Sequence, residues 1–201
     1  MITVTTANII TMIRGMINDT LKTNGRDSFI YDQATSFQLS KDFVSSATIK
    51  VYKNGTLLTL TTQYTYDSST NKITITDTMV KNDDILIVYS YYEKYSDSEL
   101  LAFLNICLSA FVTHRYPKYF YINDDDEVVT MNGVNPTVEE ANVMAIVTSI
   151  NIDPKNINIK TRDFTISAEE NKSKSEQIND VFSRWLRTFG TPEFLDETEQ
   201  I

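Results

Sequence analysis

The chain has one histidine and one cysteine among its 201 residues, with only four prolines and five glycines. Each scarcity excludes something. One cysteine, Cys107, permits no internal disulfide, so neither a disulfide framework nor an oxidising compartment is implied. A zinc site needs four Cys or His ligands, or three with an open position, and His114 with Cys107 cannot supply them. The glycines, Gly15, Gly25, Gly55, Gly133 and Gly190, are too dispersed to build a phosphate-cradling loop. Nucleophilic catalysis usually needs a positioned base, most often histidine. His114 is expected instead at the end of an apolar helix, where an imidazole meets the helix dipole favourably. Cys107, flanked by Ile106 and Leu108 and seven residues from His114, reads as a small buried hydrophobe rather than a nucleophile.

Long apolar runs are also missing. The longest, Leu100 to Val112, is interrupted by Asn105 and Ser109 and falls short of the roughly 20 residues needed to cross a bilayer, so no membrane span is expected. The opening MITVTTANII lacks a basic region followed by a continuous apolar block, so a secretion signal is not expected and a cytoplasmic origin is the default. Positive charge is in deficit: 18 basic against 27 acidic residues give a net charge of −9, which opposes general adhesion to nucleic acid. An acidic protein can still surround DNA without gripping it, because its charge repels phosphates within a Debye length of about 8 to 10 Å.

What is present is a globular composition, 41% hydrophobic and 11% aromatic, enough for a core. From Thr6 to Lys22 the residues Ile9, Ile10, Ile13, Met16, Ile17 and Leu21 fall at helical spacing, with Thr5 or Thr6 as cap and Asn24-Gly25 as stop. Gly15 inside that helix costs about 1 kcal/mol against alanine and points to a close helix contact or a weaker helix. From Phe29 to Tyr92 alternation takes over. Ala47 to Tyr52 runs into the tight turn Lys53-Asn-Gly-Thr56, because Asn-Gly tolerates the positive φ angles of a two-residue hairpin loop. Strands follow at Tyr64 to Tyr66, Lys72 to Thr76 and Asp84 to Tyr91, the last apolar on both faces and so expected at the centre of a small sandwich or barrel.

Helical spacing returns after Tyr95. Ser96-Asp-Ser-Glu99 is a capping box opening a helix to about Arg115, apolar on nearly every face and ended by Pro117. Thr137-Val-Glu-Glu140 opens a third helix to about Ile150, Ile157 to Ile166 reads as a hairpin, and Ser167-Ala-Glu-Glu170 caps a last helix from Ala168 to Phe189, stopped by Gly190 and Pro192. The expected class is α+β. Residues 1–28 and 93–189 would form a helical core of about four helices, 29–92 an antiparallel β module between the first and second, and 190–201 an extended acidic tail. Asp124-Asp-Asp-Glu127 is the carboxylate run that could hold calcium, but it lacks the alternating ligands and the glycine of an EF-hand loop, so a solvated loop is expected. The tyrosines Tyr64, Tyr66, Tyr89, Tyr91, Tyr92 and Tyr95 would serve either as cross-strand packing or as a sugar-stacking surface.

This order of elements, with Tyr95-Ser-Asp-Ser-Glu-Leu-Leu-Ala-Phe-Leu104 opening the second helix and Phe182-Ser-Arg-Trp185 in the last, resembles the helical core of tailed-bacteriophage head-tail connector proteins, the adaptors of the neck. The β segment, with Ile49 to Gly55, Tyr64 to Asp67 and Val88 to Tyr92, is similar to modules of virion proteins. The resemblance implies a structural virion protein without catalytic role, assembled in the host cytoplasm and placed between capsid and tail. It implies a homo-oligomeric ring, dodecameric like the portal above it, that contacts portal and tail or neck proteins and lets double-stranded DNA pass. No membrane, metal or cofactor enters that role. The residues expected at subunit or portal contacts are Leu101, Leu104, Leu108, Phe111, Phe182, Trp185, Phe189, Phe194 and Leu195. The alternatives are a virion-associated module that recognises a glycan or protein through its β segment, and a glycosidase-type enzyme with paired carboxylates.

Overall fold

The computed structural model describes residues 4–114, 116, 118–154, 158–160, 165–167 and 172–189, with 158–160, 165–167 and 188–189 described by backbone alone. Among these lie four helices and eleven strands, and the paired strands are antiparallel, so the protein is of mixed α+β class. The chain divides into two compact units, one formed by residues 1–18 and 97–201 and the other by 19–96.

The unit of residues 19–96 is built from β1 (Lys22–Ile30), β2 (Ser36–Gln38), β3 (Val44–Lys53), β4 (Thr56–Leu57), β5 (Tyr64–Asp67), β6 (Lys72–Ile75) and β7 (Asp84–Tyr91). They form a four-stranded sheet in the order β1-β7-β3-β4 and a three-stranded sheet in the order β2-β6-β5. One apolar cluster joins residues of both sheets, among them Phe37, Val51, Ile73, Ile75, Ile85 and Ile87. Strand β7 lies between β1 and β3, as its two apolar faces suggest. The Asn54-Gly55 turn links β3 to β4 with both residues at positive φ, 49° and 80°, the pair of left-handed conformations that this dipeptide tolerates. Asp19 closes the unit at its chain ends: its buried carboxylate accepts the amides of Glu93 and Lys94, each at 3.2 Å.

The first helix, α1 (Thr6–Met16), is shorter than the apolar spacing suggests. It ends at the Ile17 cap, Asn18 turns left-handed at φ 53°, and Lys22 already belongs to β1. Asn24-Gly25 is therefore no helix stop but the middle of a strand. Gly25 is needed there because a Cβ would lie 2.6 Å from the Tyr89 ring and 2.7 Å from the Tyr89 carbonyl. Gly15, in contrast, has open space around it, so no close helix contact accounts for it.

The other unit adds α2 (Asp97–Thr113), β8 (Phe120–Ile122), β9 (Val128–Thr130), α3 (Val138–Ile152), the pair β10 (Asn158–Lys160) and β11 (Thr165–Ser167), and α4 (Lys174–Phe189). Helix α3 packs against α1, α2 and α4. Every residue from Val143 to Ile150 is buried, and the Thr148 and Ser149 hydroxyls are satisfied by the Met144 and Ala145 carbonyls at 2.8 and 2.7 Å. Its expected capping box is present: Thr137 Oγ1 accepts the Glu140 amide and the Glu140 carboxylate accepts the Thr137 amide. The start of α4 differs from the sequence expectation. Ser167 belongs to β11, and the helix opens six residues later on Ser173-Lys-Ser-Glu176, whose serine and glutamate exchange the same two contacts. Residues 168–171, the stop at Gly190 and Pro192 and the tail from Thr191 lie outside the described residues.

Candidate interaction surface of the helical unit

Helix α2 buries one stripe, Leu100, Leu104, Cys107, Leu108 and Phe111, at the spacing of a single helical face. The opposite face carries Ala102, Asn105, Ile106, Ser109, Val112 and Thr113, all exposed, with Ile106 at 61%. From Leu100 to His114 there is no charged residue. A helix face turned to water ordinarily carries Lys, Glu or Arg. The absence is sharper because residues 19–96 hold nine acidic and eight basic side chains, which leaves eighteen acidic against ten basic for the unit that contains α2.

The C-terminal end of α2 is anchored by aromatic packing. Phe111 is fully buried and meets Tyr116, Phe120, Phe182 and Trp185 edge-on, at ring-centroid distances of 5.5, 5.4, 5.1 and 5.8 Å. His114 stacks on Phe182 at 4.3 Å, and burial lowers its pKa. The imidazole sits just past the end of the apolar helix, as expected, and its stacking on Phe182 favours the neutral form. Beneath the cluster, the buried Glu140 carboxylate gathers three donors: the Thr137 amide, the Tyr116 hydroxyl at 2.5 Å and the Lys118 ammonium at 2.7 Å. Burial and the adjacent Glu140 charge push the Tyr116 phenol well above its ordinary value.

Strands β8 and β9 form a short hairpin whose tip is organised by Asn123, its side-chain oxygen accepting the amides of Asp125 and Glu127 at 3.0 and 2.8 Å. Asp124, Asp125 and Asp126 point into solvent on that tip, and among the described residues no group of three His, Cys, Asp or Glu is arranged to hold a metal ion. Past β9, a turn closed by Thr130 and Val134 leaves Met131 76% exposed. Lys118, Tyr119, Thr130, Met131, Asn132 and Val134 line an open cleft of about 440 Å³. All seven large exposed hydrophobics among the described residues of this unit, from Ile106 and Val112 through Tyr119, Tyr121, Met131 and Val134 to Val138, fall within 33 residues of chain.

The residues expected at subunit contacts are placed differently. Leu104, Leu108, Phe111, Phe182 and Trp185 are buried inside their own chain, Phe111, Phe182 and Trp185 in the aromatic cluster. Leu101 is half-buried, Phe189 is described by backbone alone, and Phe194 and Leu195 lie outside the described residues. The large hydrophobics left exposed among the described residues of this unit are Ile106 and Val112 on α2 and, separately, Tyr119, Tyr121, Met131, Val134 and Val138, none of which the apolar periodicity singles out. The missing charge between Glu99 and Arg115 was the available signal.

The remaining candidates occupy structural positions. The Cys107 thiol is buried, accepts from Asn151 Nδ2 at 3.5 Å, and has its pKa raised by burial, the reverse of an activated nucleophile. In the β unit Tyr64, Tyr89 and Tyr91 are buried and Tyr66, Tyr92 and Tyr95 half-buried. Tyr64 donates to the Ile49 carbonyl at 3.1 Å and Tyr89 to Asp27 at 2.7 Å, and burial with that hydrogen bond pushes the Tyr89 phenol up to about 12. No protein-family model matches the chain. No curated protein matches it either.

Proposed function

We propose that the protein is a structural virion component, a head-tail connector whose copies pack side by side into a ring beneath the portal. In this reading a helical core carries a β module inserted between its first and second helices, and neighbouring cores meet through α2. The observation that carries it is the outward face of that helix: Ala102, Asn105, Ile106, Ser109, Val112 and Thr113 are exposed and uncharged in an acidic unit. Small and apolar side chains let a neighbouring surface approach closely, and each Å² of apolar area removed from water contributes about 25 cal/mol. A ring needs a heterologous contact that closes on itself, and the apolar residues of the β8–β9 region offer the second, different surface. The net charge of −9 suits a conduit, since it repels a DNA duplex that must slide rather than bind.

Light scattering of the purified chain, alone and mixed with a candidate portal protein, tests the proposal. Wild-type protein is expected to form a ring or to join the portal in fixed ratio, and I106D is expected to do neither while keeping its helical circular dichroism. A wild-type chain that stays monomeric beside every portal offered, or imaging that finds scattered copies away from the tail vertex, overturns it. The glycan-platform alternative has less to stand on, because Tyr64, Tyr89 and Tyr91 are buried.

A further inference from the structure

The dipeptide Asn-Gly occurs three times in the chain, at 24–25, 54–55 and 132–133, and its surroundings differ each time. In this pair the glycine nitrogen can attack the asparagine side chain, because no Cβ on the glycine obstructs the approach or the backbone rotation it requires. The reaction needs a glycine amide that base can reach, a carboxamide free to turn and a backbone free to bend. Two of the three sites lack these. Gly25 is buried in β1 opposite Tyr89, whose ring and carbonyl fill the space where a Cβ would be, at 2.6 and 2.7 Å. Asn54 is held at both ends of its carboxamide: Nδ2 donates to Asp83 Oδ1 at 2.7 Å, and Oδ1 accepts the Asp84 amide at 2.8 Å. Its own amide also donates to the Asp84 carbonyl at 2.8 Å.

Asn132 meets all three requirements. It is exposed in the turn after β9, its side chain has no hydrogen bond among the described residues, and open space surrounds Gly133. One contact opposes the reaction, the Gly133 amide donating to the Thr130 carbonyl at 2.8 Å. That bond lies in an exposed turn, and its opening uncovers no core. We infer that Asn132 is a modification site, where the chain converts its own asparagine to aspartate and isoaspartate. The Gly133 nitrogen, its proton lost to base, attacks Asn132 Cγ; an N–C bond forms, the Cγ–Nδ2 bond breaks, and the side-chain nitrogen leaves as ammonia with that proton restored. Water then opens the cyclic imide at either carbonyl, giving aspartate or, with the main chain rerouted through Cγ, isoaspartate. No oxidant, cofactor or second protein enters. The product puts a carboxylate into the turn that displays Met131 and Val134.

Ageing the full-length protein in mildly alkaline buffer, with peptide mapping by mass spectrometry at each of the three dipeptides, tests this. The assay is run on I106D as well as wild type, so that it reads a single chain whether or not the wild type assembles. Asn54 must break one more hydrogen bond than Asn132, which corresponds to a rate at Asn132 at least roughly five-fold faster than at Asn54, with Asn24 slower still. In denaturing urea the three rates are expected to converge, because the dipeptide is then the same everywhere. Asn132 no faster than the other two in folded I106D overturns the proposal, and so does a lead for Asn132 that persists in urea. Asp83→Ala tests the cause: it frees Asn54 Nδ2 and is expected to raise the Asn54 rate roughly five-fold while the Asn132 rate stays unchanged. The Asn24 rate, in the same unit, reports whether that variant is still folded. An Asn54 rate that does not move in the folded variant overturns the claim that the surroundings select Asn132.

Discussion

Gly25 and Tyr89 behave as one structural unit, although 64 positions separate them in the chain. The ring of Tyr89 lies where a Cβ at position 25 would be, and its hydroxyl donates to Asp27 two residues along the same strand. Because one of the atoms met is the Tyr89 carbonyl, a side chain at 25 cannot be accommodated by a rotamer change alone. Gly25→Ala is expected to destabilise the β unit by about 2 to 3 kcal/mol through overpacking, read as a lower urea midpoint with unchanged slope. His114 gives a pH signature with a definite sign. Burial against Phe182 favours its neutral form, so its folded pKa lies below the 6.5 of the free side chain. Below that value the unfolded chain binds more protons, and stability falls as pH drops through about 6.5 toward the depressed folded pKa; above about 7.5 the group contributes nothing. A series of urea midpoints from pH 5 to 8 should show this decline in wild type, and His114→Gln should flatten it. A midpoint that rises on acidification over that range would refute the assignment.

At the level of elements, Glu140 ties the capping of α3 to the aromatic cluster. Thr137→Ala removes one cap contact and is expected to cost about 1 kcal/mol. Glu140→Ala removes that cap's return bond and also strands the Tyr116 hydroxyl and Lys118, so about 3 kcal/mol is expected. Thermal melts of the two variants decide it, and equal losses would mean that Glu140 acts as a cap alone. The same elements show how far sequence reading reaches. Strands β3, β5, β6 and β7 were legible because β-branched and aromatic residues alternate there, and the β3–β4 turn because Asn-Gly has few other uses. Strand β1 was illegible for a physical reason: its buried position is filled by Gly25 beneath a tyrosine, so Thr23 to Asp27 carries no apolar residue to alternate. The start of α4 was ambiguous because Ser167-to-Glu170 and Ser173-to-Glu176 are equivalent capping boxes, and only the β10–β11 pairing chooses between them. The candidate surface was half legible. Helix α2 is apolar on nearly every face, and its phase is marked only by Asn105, Ser109 and Thr113, so the many apolar residues obscure that Phe111 turns inward and Ile106 outward. An aromatic buried within one chain and one buried between two look alike in sequence, which is why Phe182 and Trp185 were expected at contacts.

For the molecule as a whole, the division into two units carries its own test. The ends of the β unit are fastened to each other, by Lys22 opposite Tyr91 in the β1–β7 pairing and by Asp19 holding the amides of Glu93 and Lys94. Its core draws on residues from Phe37 to Tyr91, all within 19–96, while the core around Phe111 and α3 draws on the remainder of the chain. Two cores that share no residue can melt separately, so unfolding is expected to show two transitions rather than the single step of a small domain. Substitutions identify which transition belongs to which unit. Phe111→Ala opens a cavity at the centre of four ring contacts and should lower the helical transition by about 3 to 5 kcal/mol while leaving the other in place. Gly25→Ala should do the reverse. The excised fragment 19–96 should then fold with the same midpoint as the β transition of the full chain, because the hydrogen bonds that join its ends come from within it. A single transition moved equally by both substitutions would show the two units to be one cooperative body, and would leave the β unit unable to exist apart from the helices that flank it in sequence.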